Sequence, residues 1–113
     1  PGGSAIPATY NERLHLAKQT GEAIVQLVKK NIKPSDIMTK EAFENAIRIL
    51  MAIGGSTNAV IHLIAIAKRL DVELDLELFQ QLSDDTPFIA NMRPAGKFQM
   101  EDLYHAGGIR END

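Results

Sequence analysis

Four ionisable residues near the carboxyl-terminal end, Lys97, Glu101, Asp102 and His105, carry groups suited to acid–base work. Glu101 and His105 are four apart, so on a helix they share a face one turn apart. A solvated helix face explains the same residues without any chemistry, and Asp84-Asp85 and Glu73 with Asp75 read that way more strongly. A second place of interest is Gly54-Gly55-Ser56-Thr57-Asn58, small and hydroxyl-bearing residues where one helix ends and the next begins. A helix start offers free backbone N–H groups and a positive dipole end, which suit a carboxylate or phosphate. The structural alternative is a helix-stop glycine followed by an ordinary cap. Asn58 and His62, again four apart, draw a polar line on an otherwise apolar element, either lining a pocket or bonding to neighbouring backbone.

Other chemistries are excluded by composition. The chain has no cysteine, so disulfides, thiolate catalysis and cysteine-ligated clusters within it are ruled out. The three histidines, His15, His62 and His105, are too far apart for a local metal-ligand spacing, and no metal site is expected within the segment. The 12 basic and 15 acidic residues give a net charge of -3 and form no basic stripe, so nucleic acid is not an expected partner. No apolar run reaches the roughly 20 residues needed to cross a bilayer. A soluble, cytoplasmic chain is expected.

The elements that must position these residues are mostly helices. Apolar residues make up 44% of the 113, aromatics only 5%, and tryptophan is absent, so the core must come from Ile, Leu, Val, Ala and Met. Leu14, Ala17, Ile24, Leu27 and Val28 predict a helix from Tyr10 to Lys30, with Gly21 mid-helix as a place for a neighbour to pack closely. Thr39 predicts the cap of a second helix to about Ile53, with Phe43, Ala46, Ile47 and Leu50 as its stripe, stopped at Gly54-Gly55. Thr57 to Leu70 is apolar on nearly every side and is expected to be buried all round, which 113 residues can scarcely achieve. Asp75 predicts the cap of a helix to about Ser83, with Leu78, Phe79 and Leu82 inward. Val72-Glu73-Leu74 suits a brief extended piece, and Met100 to Ala106 a last helix stopped by Gly107-Gly108. Turns are expected at 84–87 and 93–97.

The stretches PGGSAIPA (1–8), KPSDIMTKEAFENAI (33–47), MAIGGSTNAVIHLIAIA (51–67) and RPAGKFQMEDLYHAGGI (93–109) are similar, in order and spacing, to the family of dihydroxy-acid, sugar-acid and phosphogluconate dehydratases. The resemblance implies a mainly α segment, about four to five helices with loops, of a parent α/β domain. Residues 1–113 would be a partial N-terminal dehydratase domain, lacking the cluster-ligand region upstream and the β-rich domain downstream, with Glu111-Asn112-Asp113 as a truncation end. The parent would be a homo-oligomeric hydro-lyase that turns a 2,3-dihydroxy acid into a 2-keto acid, using an iron-sulfur cluster and magnesium. This segment would bind neither alone. It would hold no catalytic residue and would act with the rest of the parent chain. Gly54, Gly55, Ser56, Thr57, Asn58 and His62 would support the pocket for a small acid substrate. The 58–70, 75–94 and 100–108 stretches look closer to the sugar-acid members. Two further readings are an independent helical protein-interaction module and a small-ligand binder using the Gly54–Asn58 helix start.

Overall fold

A computed structural model describes residues 3–93 and 96–108. The described residues form six helices: α1 (Asn11–Lys29), α2 (Pro34–Ile37), α3 (Lys40–Ala52), α4 (Asn58–Arg69), α5 (Leu76–Asp85) and α6 (Met100–His105). Their only β feature is one isolated bridge between Met92 and Phe98. The mainly α expectation holds, with α2 as a further short helix between the first two expected ones. Residues 72–74 form a connector and no strand, and the expected turn at 84–87 is taken partly into α5. Pro94 and Ala95 of the 93–97 turn and the expected truncation end at 111–113 lie outside the described residues.

Helix starts follow side-chain chemistry. Thr39 Oγ1 accepts from the Ala42 amide at 3.3 Å and Asp75 Oδ1 from the Leu78 amide at 2.8 Å, the two caps expected for α3 and α5. Asp36 and Asp102 each reach back from the first turn to a backbone N–H, that of Lys33 at 2.7 Å and of Gln99 at 2.8 Å.

Helix ends share one geometry. After α1, α3, α4 and α6 the chain passes through a positive-φ residue: Asn31 (53°), Gly54 (65°), Asp71 (56°) and Gly107 (116°). In each case the amide one residue further on bonds back to a carbonyl of the last turn: Ile32 to Leu27, Gly55 to Leu50, Val72 to Ala67 and Gly108 to Leu103, all at 2.8 or 2.9 Å. These bonds satisfy carbonyls that a helix end leaves without partners.

The core lies where α3, α4 and α5 meet. Phe43 and Ile47 of α3, Ala67 of α4, Phe79 and Leu82 of α5, and Leu74 from the connector form one buried cluster, lined by half-buried Val60, Leu63, Ile64 and Leu78. After α5 the chain doubles back, and the amides of Ile89 and Ala90 both donate to the carbonyl of Ala52 at the end of α3.

The expectation of an all-round buried α4 is not met in this chain. Only Ala67 is buried on it, while Ile61 is 68% exposed. The physical reason is that α3 and α5 cover one side, and no described element lies over the other. α1 is barer still: it has no buried residue, and of its stripe only Leu27 is half-buried.

Ile47 has no solvent exposure at all. Ile47→Ala is expected to cost about 2–5 kcal/mol from lost burial and the cavity left behind, read as a lower urea midpoint. Ile61→Ala is expected to stay within about 0.5 kcal/mol of the parent sequence.

Candidate functional site

The Gly54–His62 stretch resolves into a helix stop and a surface helix start. Gly54 takes the left-handed position and Gly55 closes the α3 end onto Leu50. A Cβ at Gly55 would push aside the end of the Leu50 side chain, whereas at Gly54 it is the backbone conformation that calls for glycine. Ser56 Oγ accepts from the Asn58 amide at 3.3 Å, and the Ala59 and Val60 amides bond to the carbonyls of Ser56 and Thr57. Much of the hydrogen-bonding capacity that would draw an anion is thus taken up within the chain. Thr57, Asn58 and His62 are exposed along one side of α4, and Gly54, Gly55 and Ser56 are half-buried. The six residues therefore lie together at one edge of the molecule, as their spacing requires. The cavities described in the chain have other walls, such as one of 320 Å³ beside Ile64, Lys68, Val72 and Leu74.

A second constellation assembles around α6, and it includes a residue that the sequence did not single out. Tyr10, at the entrance to α1, donates its phenol O–H to Glu101 Oε1 at 2.6 Å and lies 3.1 Å from His105 Nε2. His105 and Glu101 are themselves 3.7 Å apart, one turn along α6 as expected. Because the phenol proton is committed to Glu101, its oxygen is the acceptor toward the His105 ring whenever Nε2 carries hydrogen. The three groups make one sharply bent line of contacts from imidazole through phenol to carboxylate, its two ends 3.7 Å apart. Tyr104 backs it, with its ring edge-on to Tyr10 at 5.6 Å between centroids.

The other two candidates near α6 do not join this line. Asp102 is occupied by the Gln99 amide, and Lys97 lies over the Phe98 ring, 5.5 Å from its centroid. The amino-terminal loop also meets the turn after α6: a Cβ at Gly108 would lie 3.9 Å from that of buried Ala5, and Leu103 of α6 is buried as well. Arg13 ties the same loop to α1 by donating to the Gly3 carbonyl at 3.0 Å. No signal in the sequence pairs Tyr10 with residues 91 and 95 positions away. Cysteine is absent from the chain, and among the described residues no group of three or more His, Asp or Glu side chains could hold a metal ion.

The hydrogen bond to Glu101 raises the Tyr10 phenol above its ordinary value of 10.0, helped by the negative charge of that carboxylate. The chain has two tyrosines, so a spectrophotometric titration is expected to show one ionising above the usual range; Glu101→Gln lowers it and Tyr10→Phe removes it. A raised folded-state pKa means that this contribution to stability is fully present below pH 10 and is lost as pH rises through the raised value. Two ordinary tyrosine titrations in the unsubstituted chain would contradict the bond. At the other constellation, Gly54→Ala is expected to cost about 1–2 kcal/mol, since alanine resists the left-handed conformation, read by thermal unfolding.

Residues 1–111 match the family described as dihydroxy-acid/6-phosphogluconate dehydratase, N-terminal. A dihydroxy-acid dehydratase of Halothermothrix orenii is 54% identical over 109 residues, covering 96% of this chain and 20% of the relative. An L-arabinonate dehydratase of Rhizobium leguminosarum bv. trifolii is 53% identical over 108 residues, 96% of this chain and 19% of the relative. A dihydroxy-acid dehydratase of Pyrococcus furiosus is 52% identical over 109 residues, 96% and 20%. The chain therefore spans about a fifth of the length of the curated relatives it matches. The near-equal identities to dihydroxy-acid and arabinonate enzymes do not favour the sugar-acid side. On this match, which takes in nearly every residue, the chain belongs to the dihydroxy-acid/6-phosphogluconate dehydratase N-terminal family.

Proposed function

We propose that this chain is the helical framework of a cytoplasmic hydro-lyase that removes water from a 2,3-dihydroxy acid to give a 2-keto acid. The observation that carries the proposal is the family match over residues 1–111, joined by relatives named for both dihydroxy-acid and L-arabinonate dehydration at 54% and 53% identity. The substrate class is accordingly a small hydroxylated carboxylate, branched-chain or sugar-derived. The parent domain is α/β, and the whole protein is homo-oligomeric, as the resemblance implies.

The family resemblance implies an iron-sulfur cluster and magnesium, and the residues present do not fit them. Without a cysteine the chain has no thiolate to offer a cluster, and its described residues do not gather the carboxylates or imidazoles of a metal site. Any such group is held by other parts of the longer protein.

What this chain supplies is position. Helix α4 starts at a rigid stop, with Thr57, Asn58 and His62 on an open side. In the proposed whole protein that side faces the substrate pocket, with Gly54, Gly55 and Ser56 fixing where the helix begins. Short, small residues there let another part of the protein approach the backbone closely. Tyr10, Glu101 and His105 hold the amino-terminal loop on α6, so that two regions of the family match are kept in register. No residue of the chain is assigned a catalytic step.

The test compares the 113-residue chain with a longer protein containing it, each given a branched-chain 2,3-dihydroxy acid and L-arabinonate, with 2-keto acid as the readout. The short chain is expected to form none, and the longer protein to act on at least one. Turnover by the short chain alone would overturn the framework role, and a cofactor-replete longer protein inert toward both acids would overturn the reaction assigned.

A further inference from the structure

One hydrogen bond is enough to hold a loop on a helix, yet the Tyr10 cluster brings three lone-pair atoms together. The phenol oxygen lies 2.6 Å from Glu101 Oε1 and 3.1 Å from His105 Nε2, and those two atoms are 3.7 Å apart. A triangle with these sides fits a circle of radius about 1.9 Å, and an ion of the zinc class sits about 2.0–2.2 Å from its nitrogen and oxygen ligands. A single ion just above the triangle therefore reaches all three atoms where they stand.

The charge around the triangle also suits a cation. Among the described residues Glu101 has no lysine or arginine within ion-pairing distance, and its ionic neighbour is His105. Glu12 adds a further negative charge near Tyr10. The phenol proton lies between two oxygens, the place that a cation shared by phenolate and carboxylate would take. Glu101 and His105, one turn apart, offer two ligands from one face of α6, and the phenol comes from the far end of the chain. Imidazoles and carboxylates by themselves gather no metal site among the described residues; the phenol completes this one. The side chains of Glu101 and His105 are 54% and 61% exposed, which leaves the outer positions of the ion to water.

We propose that Tyr10, Glu101 and His105 bind a divalent first-row transition ion of the zinc class, which staples the amino-terminal loop to α6. Binding replaces a proton: the phenol O–H gives its proton to water and the freed electron pair takes the ion. His105 offers the lone pair of Nε2, with its hydrogen on Nδ1. One imidazole with two oxygens suits Zn²⁺ or Cu²⁺ better than Mg²⁺, which prefers oxygen ligands alone in an octahedral array. The ion must displace the proton that the bond to Glu101 holds on Tyr10, so metal binding and phenol ionisation are one event. The proposal does not rest on the dehydration reaction.

The test titrates Zn²⁺ and Mg²⁺ separately into the 113-residue chain, whose lack of cysteine removes competing thiolates. Zn²⁺ is expected to bind at one ion per chain and to raise the thermal unfolding midpoint. It is also expected to bring out phenolate absorption from one of the two tyrosines in neutral buffer, and to move the His105 ring to its Nε2-bound form by NMR. Tyr10→Phe is expected to abolish that absorption. Glu101→Gln and His105→Ala are expected to weaken binding about ten-fold or more with unchanged helicity, whereas His15→Ala, exposed on α1, leaves binding as it was. Zn²⁺ bound without phenolate absorption, absorption that survives Tyr10→Phe, or a His105 ring indifferent to millimolar Zn²⁺ would each overturn the proposal. Equal binding of Mg²⁺ would overturn the class of ion. Every readout is made without substrate, so failure here is separate from failure of the dehydration test.

Discussion

Ile47 loses all contact with solvent because helices from three parts of the chain close around it, and the positions of those helices depend on that enclosure. Phe43 and Ile47 present one face of α3, Phe79 and Leu82 answer from α5, and Ala67 is small enough to let α4 come close. Short connectors make this possible: the α3–α4 link turns at Gly54, and the α4–α5 link turns at Asp71 and sends Leu74 back into the cluster. The core is thus local in sequence, drawn from residues 43–82. It holds the middle of the chain and reaches neither α1 nor α6.

That limit governs what the rest of the structure can do. A chain of 113 residues buries a smaller fraction of its surface than a larger one, and here the shortage is concentrated on α1 and the outer side of α4. Scattered exposed apolar residues call for no explanation. A stripe of apolar residues exposed from Leu14 to Val28 along one helix does, because solvent-facing helices of stable soluble proteins carry polar residues on that side. Relatives about five times as long share these sequences at 50% identity or more, so the same residues occur where much more polypeptide is present. The exposed faces and the family membership thus describe one circumstance from two directions.

Much of the local structure was legible because it depends on local chemistry. Thr39 and Asp75 advertise caps, since their oxygens reach an amide three residues on whatever the distant chain does, and Gly54 and Gly107 advertise stops. Asn31 and Asp71 perform the same stop without announcing it, because the left-handed conformation is a minority state for either residue. Which side of α4 is covered is illegible for a different reason. Composition reveals how much apolar surface an element has, but coverage depends on what else is present. Tyr10 was illegible outright, since its partners are 91 and 95 residues away and no periodicity connects a helix entrance with a distant short helix.

The two constellations differ in how they are built, and this bears on which is rigid. Gly54 to Asn58 is fixed by backbone bonds belonging to the helices on either side, so its geometry persists as long as α3 does. The Tyr10–Glu101–His105 line is made of exposed side chains, where an ion pair contributes little and water competes for every bond. Its support comes from the buried Ala5 and Leu103 on the two segments it joins and from the aromatic edge of Tyr104. In a longer protein that covered this surface, the same line would lose its competition with water, and each bond would strengthen as the local dielectric fell. The helix start needs no such help to keep its shape, whereas the clasp between the amino-terminal loop and α6 becomes firm only when something lies over it.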